Sequence, residues 1–437
     1  MSSPRPLLAL AGGVLAIILA SLGGVAYATL RTRPLAERLV RDVEAMARTR
    51  YPRPSHVTPS VPGTFAQQVA PELEEVLRLY SERPGALGAG ASGSPCLGVI
   101  EGREPVSAMP PACREEWKKG RELVARVLAA THAEEGGLPE ELGDLASPEH
   151  PYAVKGRLAL LYLLQLAALE TRMRLAEGQV AQAVDTCLDT LALSRELTLG
   201  GGLIGQLHSA AGHGLVYRPC AEALDAAPLE RKRAAVAQLS RLAEGFLPWS
   251  EMLKQESVTM QLLYFGELMP AELLAALPEG AREVATKMPD GKRAPANPVT
   301  ARLMWRKMVE GYDALIPAAD RVPEARQRAF EAFDARSASE LFSVEGPSGA
   351  NYGRFAERVD QARLQHDALI ALVEADLKRT EEGRWPERVT SRAHRSFVLE
   401  SSNLGEARLK PCAPSLAEQA LRVTADVPSG AWVRQTP

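Results

Sequence analysis

The sequence is poor in aromatic side chains, which make up 5% of its 437 residues. Because Ala and Leu favour helices whereas aromatic and β-branched residues favour strands, a chain rich in Ala and Leu is expected to form packed helices. Hydrophobic residues account for 46% of the chain and charged residues for 24%. This balance excludes a disordered chain and predicts a substantial core.

The sequence also lacks a concentration of charge of one sign. Its formal net charge is -3, and acidic and basic residues are interleaved along the chain. Outside the arginines that follow residue 30 there is no dense basic stretch. Nucleic-acid binding normally needs such a stretch, so we expect no nucleic-acid partner.

Cysteine is scarce, with five residues and no Cys-x-x-Cys pair. Since no histidines stand at zinc spacing either, we predict no metal site. Cys96 and Cys113 flank a stretch rich in Gly, Pro and Ser. A disulfide between them would stabilise the fold by about 3 kcal/mol, while the alternative is two ordinary loop thiols. We expect Cys187 and Cys220 to be small core residues unless their helices align them.

Familiar catalytic motifs are missing. Residues 88–93 match the dinucleotide fingerprint Gly-x-Gly-x-x-Gly, but Ser94, Pro95 and Cys96 follow where the helix should begin. We therefore interpret the match as a loop. There is no phosphate-binding loop of the Walker type and no Gly-x-Ser-x-Gly elbow. The sequence accordingly predicts no catalytic residue, no cofactor-binding residue and no cofactor.

The histidines and acidic residues also give no clear evidence of a metal-binding or catalytic site. His208 and His213 are five residues apart, whereas zinc-binding helices place histidines four apart. We expect both to be neutral packing or surface histidines. We expect His366, beside Asp367, to lie on a helix surface, the alternative being a proton-transfer group in a groove. The remaining acidic clusters are interpreted as solvated helix faces; they are Glu72, Glu74 and Glu75, and Glu381 with Glu382.

One long apolar run stands near the N-terminus. Leu7 to Leu30 contains 24 residues without a charge, which as a helix would reach roughly 36 Å and cross a bilayer. We predict a retained transmembrane anchor. Two alternatives stay open: a secretory signal cleaved after Ala28, because Ala26-Tyr27-Ala28 has the required pattern, and a helix of a soluble core.

The orientation of this anchor is ambiguous. Arg31, Arg33, Arg38 and Arg41 follow the span, and the positive-inside rule would place them, with the body, in the cytoplasm. The short tail before the span, the Ala-x-Ala pattern and the two loop cysteines favour export. We expect a single-pass membrane protein with its body on the periplasmic side, the alternative being a cytoplasmic body.

The remaining pattern predicts a mainly α body. We divide the chain into an anchor (1–33), a juxtamembrane helix with a Pro-rich spacer (34–65), a helical domain (66–390) containing a loop at 84–113, and short strands with a tail (391–437). Leu35, Leu39, Val43 and Met46 are expected to line one face of the juxtamembrane helix. Helical hairpins joined by Gly or Pro should form a bundle, and a small β appendage should follow. Strands are expected at 397–399, 421–423 and 432–433.

Two segments resemble known groups. Leu175-Ala176-Glu177-Gly178, followed by Ala183 and Leu191, resembles the turn of a tetratricopeptide hairpin, although no 34-residue period continues it. Residues 367–386 are similar to segments of uncharacterised bacterial membrane-anchored helical proteins. The resemblance implies a helical hairpin and no particular activity.

These observations favour a membrane-tethered scaffold or protein-binding module of the bacterial envelope. Its expected partners are the membrane, through the N-terminal helix, and a protein bound in a groove between helices. The alternative is a hydrolase-type enzyme whose site is assembled only in the fold. The sequence leaves open whether the chain is an enzyme.

Overall fold

The protein is mainly helical over the residues that its structure, a computed structural model, describes. These are residues 38–51, 63–82, 95–133, 136–139, 154–265, 298–339, 352–390 and four further strands, less a few positions within those ranges. Besides the helical residues between 38 and 50, the described residues form 12 α-helices, and the strands make one sheet at the C-terminus. In chain order the helices are α1 Phe65–Val69, α2 Leu73–Glu82, α3 Pro95–Ile100, α4 Pro111–Ala130, α5 Val154–Ala176, α6 Val180–Glu196, α7 Gly202–Ala226, α8 Leu229–Glu244, α9 Trp249–Phe265, α10 Pro298–Ala319, α11 Pro323–Ser339 and α12 Tyr352–Glu382.

The centre of the main core is the three-helix unit α5, α6 and α7. Helix α5 is buried on all sides, as its nearly continuous run of Leu and Ala predicts. Short turns containing Gly178 and Gly200, with φ of 76° and 67°, reverse the chain between these helices. Left-handed backbone favours glycine, so these two residues make tight hairpins possible.

Other helices surround this unit and enlarge the core. Helices α4, α8 and α12 pack against it, and Val389 of the first strand is buried in the same cluster. A second cluster joins α9, α10, α11 and α12 around Trp249, Tyr312 and Phe330. The predicted helical bundle is confirmed at this level.

The C-terminal strands form an antiparallel meander. The five strands are β1 Arg388–Thr390, β2 Ser396–Ser401, β3 Glu406–Pro411, β4 Ala420–Thr424 and β5 Val433–Gln435. They pair in sequence order, with Leu399 opposite Leu409 and Leu409 opposite Leu421. The sequence predicted β2, β4 and part of β5 but missed β1, which has only three residues, and β3, whose alternating residues Glu, Ala, Arg, Leu, Lys and Pro are mostly types with low strand propensity.

The expected loop at 84–113 is partly wrong. Residues 95–100 form helix α3 and Val106–Ala108 form a 3-10 turn. A disulfide between Cys96 and Cys113 links α3 to α4, and the apolar Val99 and Ile100 are fully buried. Tertiary packing and the covalent link therefore order a segment whose local sequence lacks helical periodicity.

The juxtamembrane prediction needs one correction. The described residues between 38 and 50 are helical, and Val43 is buried as expected. Met46, however, is 59% exposed, and Ala47 takes the inward position instead. Val43 and Ala47, which are four residues apart, pack against Trp305 of α10. The inward face of this helix therefore contains Ala47 in place of Met46.

Among the described residues, no helix is both long and apolar enough to cross a bilayer. Leu7 to Leu30 lies outside those residues, as do the Gly-rich match at 88–93 and its neighbours up to residue 94.

Candidate binding groove

A surface groove lies between α4, α5 and α6. Its cavity has a volume of about 450 Å³. The side chains that line it include Val124, Leu128, Ala125, Ala129, Arg121, His132, Glu170, Arg174, Asp185, Thr186 and Asp189. Apolar atoms and both signs of charge are therefore combined in one concave surface, which is typical of a binding site.

The apolar part of the groove comes from the periodicity of α4. Val124 and Leu128 are four residues apart and buried, so they form the floor. Ala125 and Ala129 follow each of them by one position and are exposed. Because alanine carries a single methyl group, these two positions leave room for a ligand to approach the helix.

A buried carboxylate organises one group of charges. Glu170 of α5 is 2% exposed and accepts a hydrogen bond of 2.6 Å from Nε1 of Trp117. Nε of Arg121 and Nε of Arg174 donate to its other oxygen over 3.2 Å and 2.6 Å. The guanidinium of Arg121 also lies over the Trp117 ring, 5.1 Å from the ring centroid. Hydrogen bonds from charged donors offset the cost of burying this carboxylate.

A second group contains a histidine and an aspartate. Nε2 of His132 and Oδ1 of Asp189 are 2.9 Å apart. Burial raises the pKa of Asp189, while the hydrogen bond and charge of His132, and the charge of Arg174, lower it. Asp185, one turn earlier on α6, pairs with Arg231 of α8. This group adds acidic oxygens and one exposed imidazole to the groove.

Buried charges also hold the turn between α6 and α7, away from the groove. Arg157 donates to the carbonyl oxygens of Leu197 and Leu199 over 2.6 Å and 2.7 Å, at the C-terminal end of α6. Glu256 accepts from the backbone N–H of Leu203 over 2.9 Å, at the start of α7. Burial raises the pKa of Glu256 to about 7, although that hydrogen bond opposes the shift. Arg157 thus donates to carbonyl groups left unpaired at the end of α6, and Glu256 accepts from an N–H group left unpaired at the start of α7.

The histidines noted in the sequence lie in the interior. His213 and His366 are buried, with ring centroids 5.1 Å apart, so the expected surface position of His366 is wrong. His366 hydrogen-bonds the carbonyl of Leu239 at 2.7 Å. Burial lowers the pKa of His366 and of His208 to about 4, and it lowers the pKa of His213. Their location is set by packing of α7 against α12 rather than by a signal in the sequence.

The other candidate residues lie apart from the groove. Four of the five cysteines form two disulfides: Cys96–Cys113, which the sequence left open between a bridge and two thiols, and Cys187 of α6 with Cys220 of α7, whose helices do align them. Glu72 and Glu75 pair with Arg126, and Glu381 pairs with Arg233. Within the described ranges, no three His, Cys, Asp or Glu side chains form a metal-binding group.

Sequence reasoning missed the groove itself. Glu170 and Arg174 were a signal, because charges four residues apart in an otherwise apolar, buried helix need partners. His132 and Asp189 had no comparable signal, since they are separated by 57 residues and meet only through the fold.

Comparison with known proteins assigns the chain to no family. No family model matches the chain, and neither a curated protein nor a solved structure matches it. The resemblance of the α5–α6 hairpin to tetratricopeptide repeats therefore gains no support beyond the hairpin shape.

Proposed function

We propose that this chain is a membrane-tethered binding module whose helical body lies outside the cytoplasm and binds a segment of a partner protein. The groove between α4, α5 and α6 is the observation that carries this proposal. Its apolar floor, exposed alanines and surrounding charges suit a short peptide segment that carries both apolar and charged side chains.

The two disulfides support the location. Cys96, Cys113, Cys187 and Cys220 are all at most 2% exposed, and each pair ties one helix to another. Disulfides persist in oxidising compartments and are rare in the cytosol of mesophiles. The run from Leu7 to Leu30 supplies the proposed tether. The arginines that follow it favour the opposite orientation, and we give more weight to the disulfides because they are built into the core.

Site-specific photo-crosslinking in cells tests the proposal. Ala129 lies in the groove, and Ala112 is exposed on the same helix outside it. With p-benzoylphenylalanine at position 129 we expect a discrete adduct that is absent with the same group at position 112. The bulky substitution Ala125→Trp should abolish that adduct by filling the groove. Equal adducts from both positions, or an adduct that survives Ala125→Trp, would refute binding in the groove.

One observation favours a second candidate function. The His132–Asp189 pair, at 2.9 Å, is the arrangement by which a carboxylate orients a general base, so a hydrolase acting on a groove-bound substrate is the alternative. The groove offers only the hydroxyl of Thr186 as a side-chain nucleophile, and that group donates to the carbonyl of Gln182 at 2.9 Å. Water would have to be the attacking group. Hydrolysis of model esters or peptides that disappears in His132→Gln would establish this alternative over binding alone.

A further inference from the structure

We infer that Arg121 and Arg174 form a carboxylate-binding fork inside the groove, and that the bound segment therefore presents a Glu or Asp side chain or a C-terminal carboxylate. This inference rests on the proposed function and adds the chemistry of the ligand. It follows from the way the two arginines are held.

Each arginine uses only part of its hydrogen-bonding capacity on the protein. Both donate to Glu170 through Nε, as described above. Their terminal amino groups make no hydrogen bond in the part of the chain that the structure describes, although both residues line the cavity. The side chains are 43% and 24% exposed, so solvent and ligands can reach them. A guanidinium with its terminal groups available can bind a carboxylate through two parallel bonds.

The two guanidinium groups are also held in place before a ligand binds. Glu170 is buried and is itself fixed by Trp117, whose ring lies under Arg121. Holding long side chains in this way reduces the entropy that a ligand must overcome on binding. Surface arginines without such a support would lose more rotamer freedom on the same contact.

The charge of the site favours a monoanion. Two guanidinium groups and one carboxylate leave a net charge of about +1 at this end of the groove. Asp189 and Asp185, the latter paired with Arg231, also line the cavity, and their negative charges repel a dianion about twice as strongly as a monoanion. A carboxylate satisfies this balance, whereas a phosphate near neutral pH carries more negative charge than the site can compensate.

Peptide binding to the full chain in detergent micelles tests the inference. The probes are a blocked pentapeptide with one glutamate among alanines, its glutamine counterpart, and inorganic phosphate. Calorimetry gives affinity, and the fluorescence difference between the wild-type chain and Trp117→Phe reports occupancy at the site. We expect the glutamate peptide to bind at least about tenfold more tightly than the glutamine peptide, and phosphate to bind more weakly than the glutamate peptide.

Substitutions then assign the effect to the two arginines. Arg121→Gln and Arg174→Gln should each weaken glutamate-peptide binding roughly 10- to 100-fold, the range expected for a charge-assisted hydrogen bond. Arg174→Lys keeps the charge but not the fork and should give a smaller loss, which tests the fork even where a neutral variant fails to fold. The matched control is Arg114→Gln, which changes an exposed arginine of α4, the helix that carries Arg121. This variant should bind the glutamate peptide as the wild type does.

Several results would overturn the inference. These are equal affinity for the glutamate and glutamine peptides, tighter binding of phosphate, wild-type affinity in both arginine variants, or no binding of any peptide. Such a result combined with a groove-specific crosslink at Ala129 would leave the proposed function standing and remove only the carboxylate. Peptide binding without that crosslink would retain the site and remove the protein partner.

Discussion

At the scale of single residues, Glu170 connects the stability of the fold to the groove. We predict that Glu170→Gln lowers the free energy of unfolding by about 2 kcal/mol, because two guanidinium groups lose their shared anion. The estimate is below that for a fully buried pair since both arginines are partly exposed. Denaturant titration measures the change. Glu115→Gln, an exposed acid on α4, should cost less than about 0.5 kcal/mol, and equal losses in the two variants would contradict the role of Glu170.

Also at the residue scale, His366 should make the fold sensitive to acid. Its pKa falls to about 4 in the folded protein, compared with about 6.5 unfolded, so the unfolded chain binds more protons between these values. This contribution to stability is complete above pH 6.5 and is lost as the pH falls toward 4. His366→Gln removes the titration while its amide N–H remains able to donate to Leu239.

We therefore predict that lowering the pH from 7.5 to 5 reduces the free energy of unfolding of His366→Gln by about 2 kcal/mol less than that of the wild type. Denaturant titrations at the two pH values give this difference. The opposing titration of Glu256 is present in both proteins and cancels in the comparison. Identical slopes for the wild type and His366→Gln would show that burial of this imidazole does not control acid sensitivity.

At the scale of elements, the turn before α7 depends on glycine. Gly202 has a φ of 54°, and an added Cβ would overlap Oε2 of Glu256 and lie 3.1 Å from its Cα. We predict that Gly202→Ala lowers the melting temperature and lowers the free energy of unfolding by at least about 2 kcal/mol. Gly214, on the same helix, has open space at its Cβ position, so Gly214→Ala should stabilise by about 0.5 to 1 kcal/mol. Changes of equal sign would contradict this account of the turn.

The disulfide between α6 and α7 is a second prediction at this scale. Cys187 and Cys220 are 33 residues apart in sequence. The chain-entropy model assigns a loop of this length about 3.7 kcal/mol, so Cys187→Ala with Cys220→Ala should lower the free energy of unfolding by about 3 to 4 kcal/mol under non-reducing conditions. Reductant should destabilise the wild type by more than this variant. A variant as stable as the wild type would contradict a structural role for the bridge.

The elements also show what the sequence could predict. Helix α5 was predictable because a long run of Leu and Ala leaves few alternatives, and Gly178 and Gly200 marked its neighbours' turns. Helix α3 was not, since its order depends on the bond to Cys113 and on burial of Val99. The groove could not be predicted from the sequence either, because it also depends on tertiary contacts. Arg121, Glu170 and Asp189 meet only after three helices have packed, and local periodicity contains no information about that packing.

At the scale of the whole molecule, the proposal describes a disulfide-linked helical body held at a membrane and binding a partner in the groove. Val389 of β1 packs in the main core of the body. Both disulfides lie in the same core as the groove helices, so the proposed location and the proposed binding site concern one folded unit.

Protease digestion of intact spheroplasts, followed by alkylation of thiols before and after reduction, tests this central claim most directly. We predict that added protease cleaves the body while the membrane is intact, and that Cys187 and Cys220 of undigested protein react only after denaturation and reduction. A body that stays protected until the membrane is opened, with these cysteines alkylated in denaturant without reductant, would contradict the account.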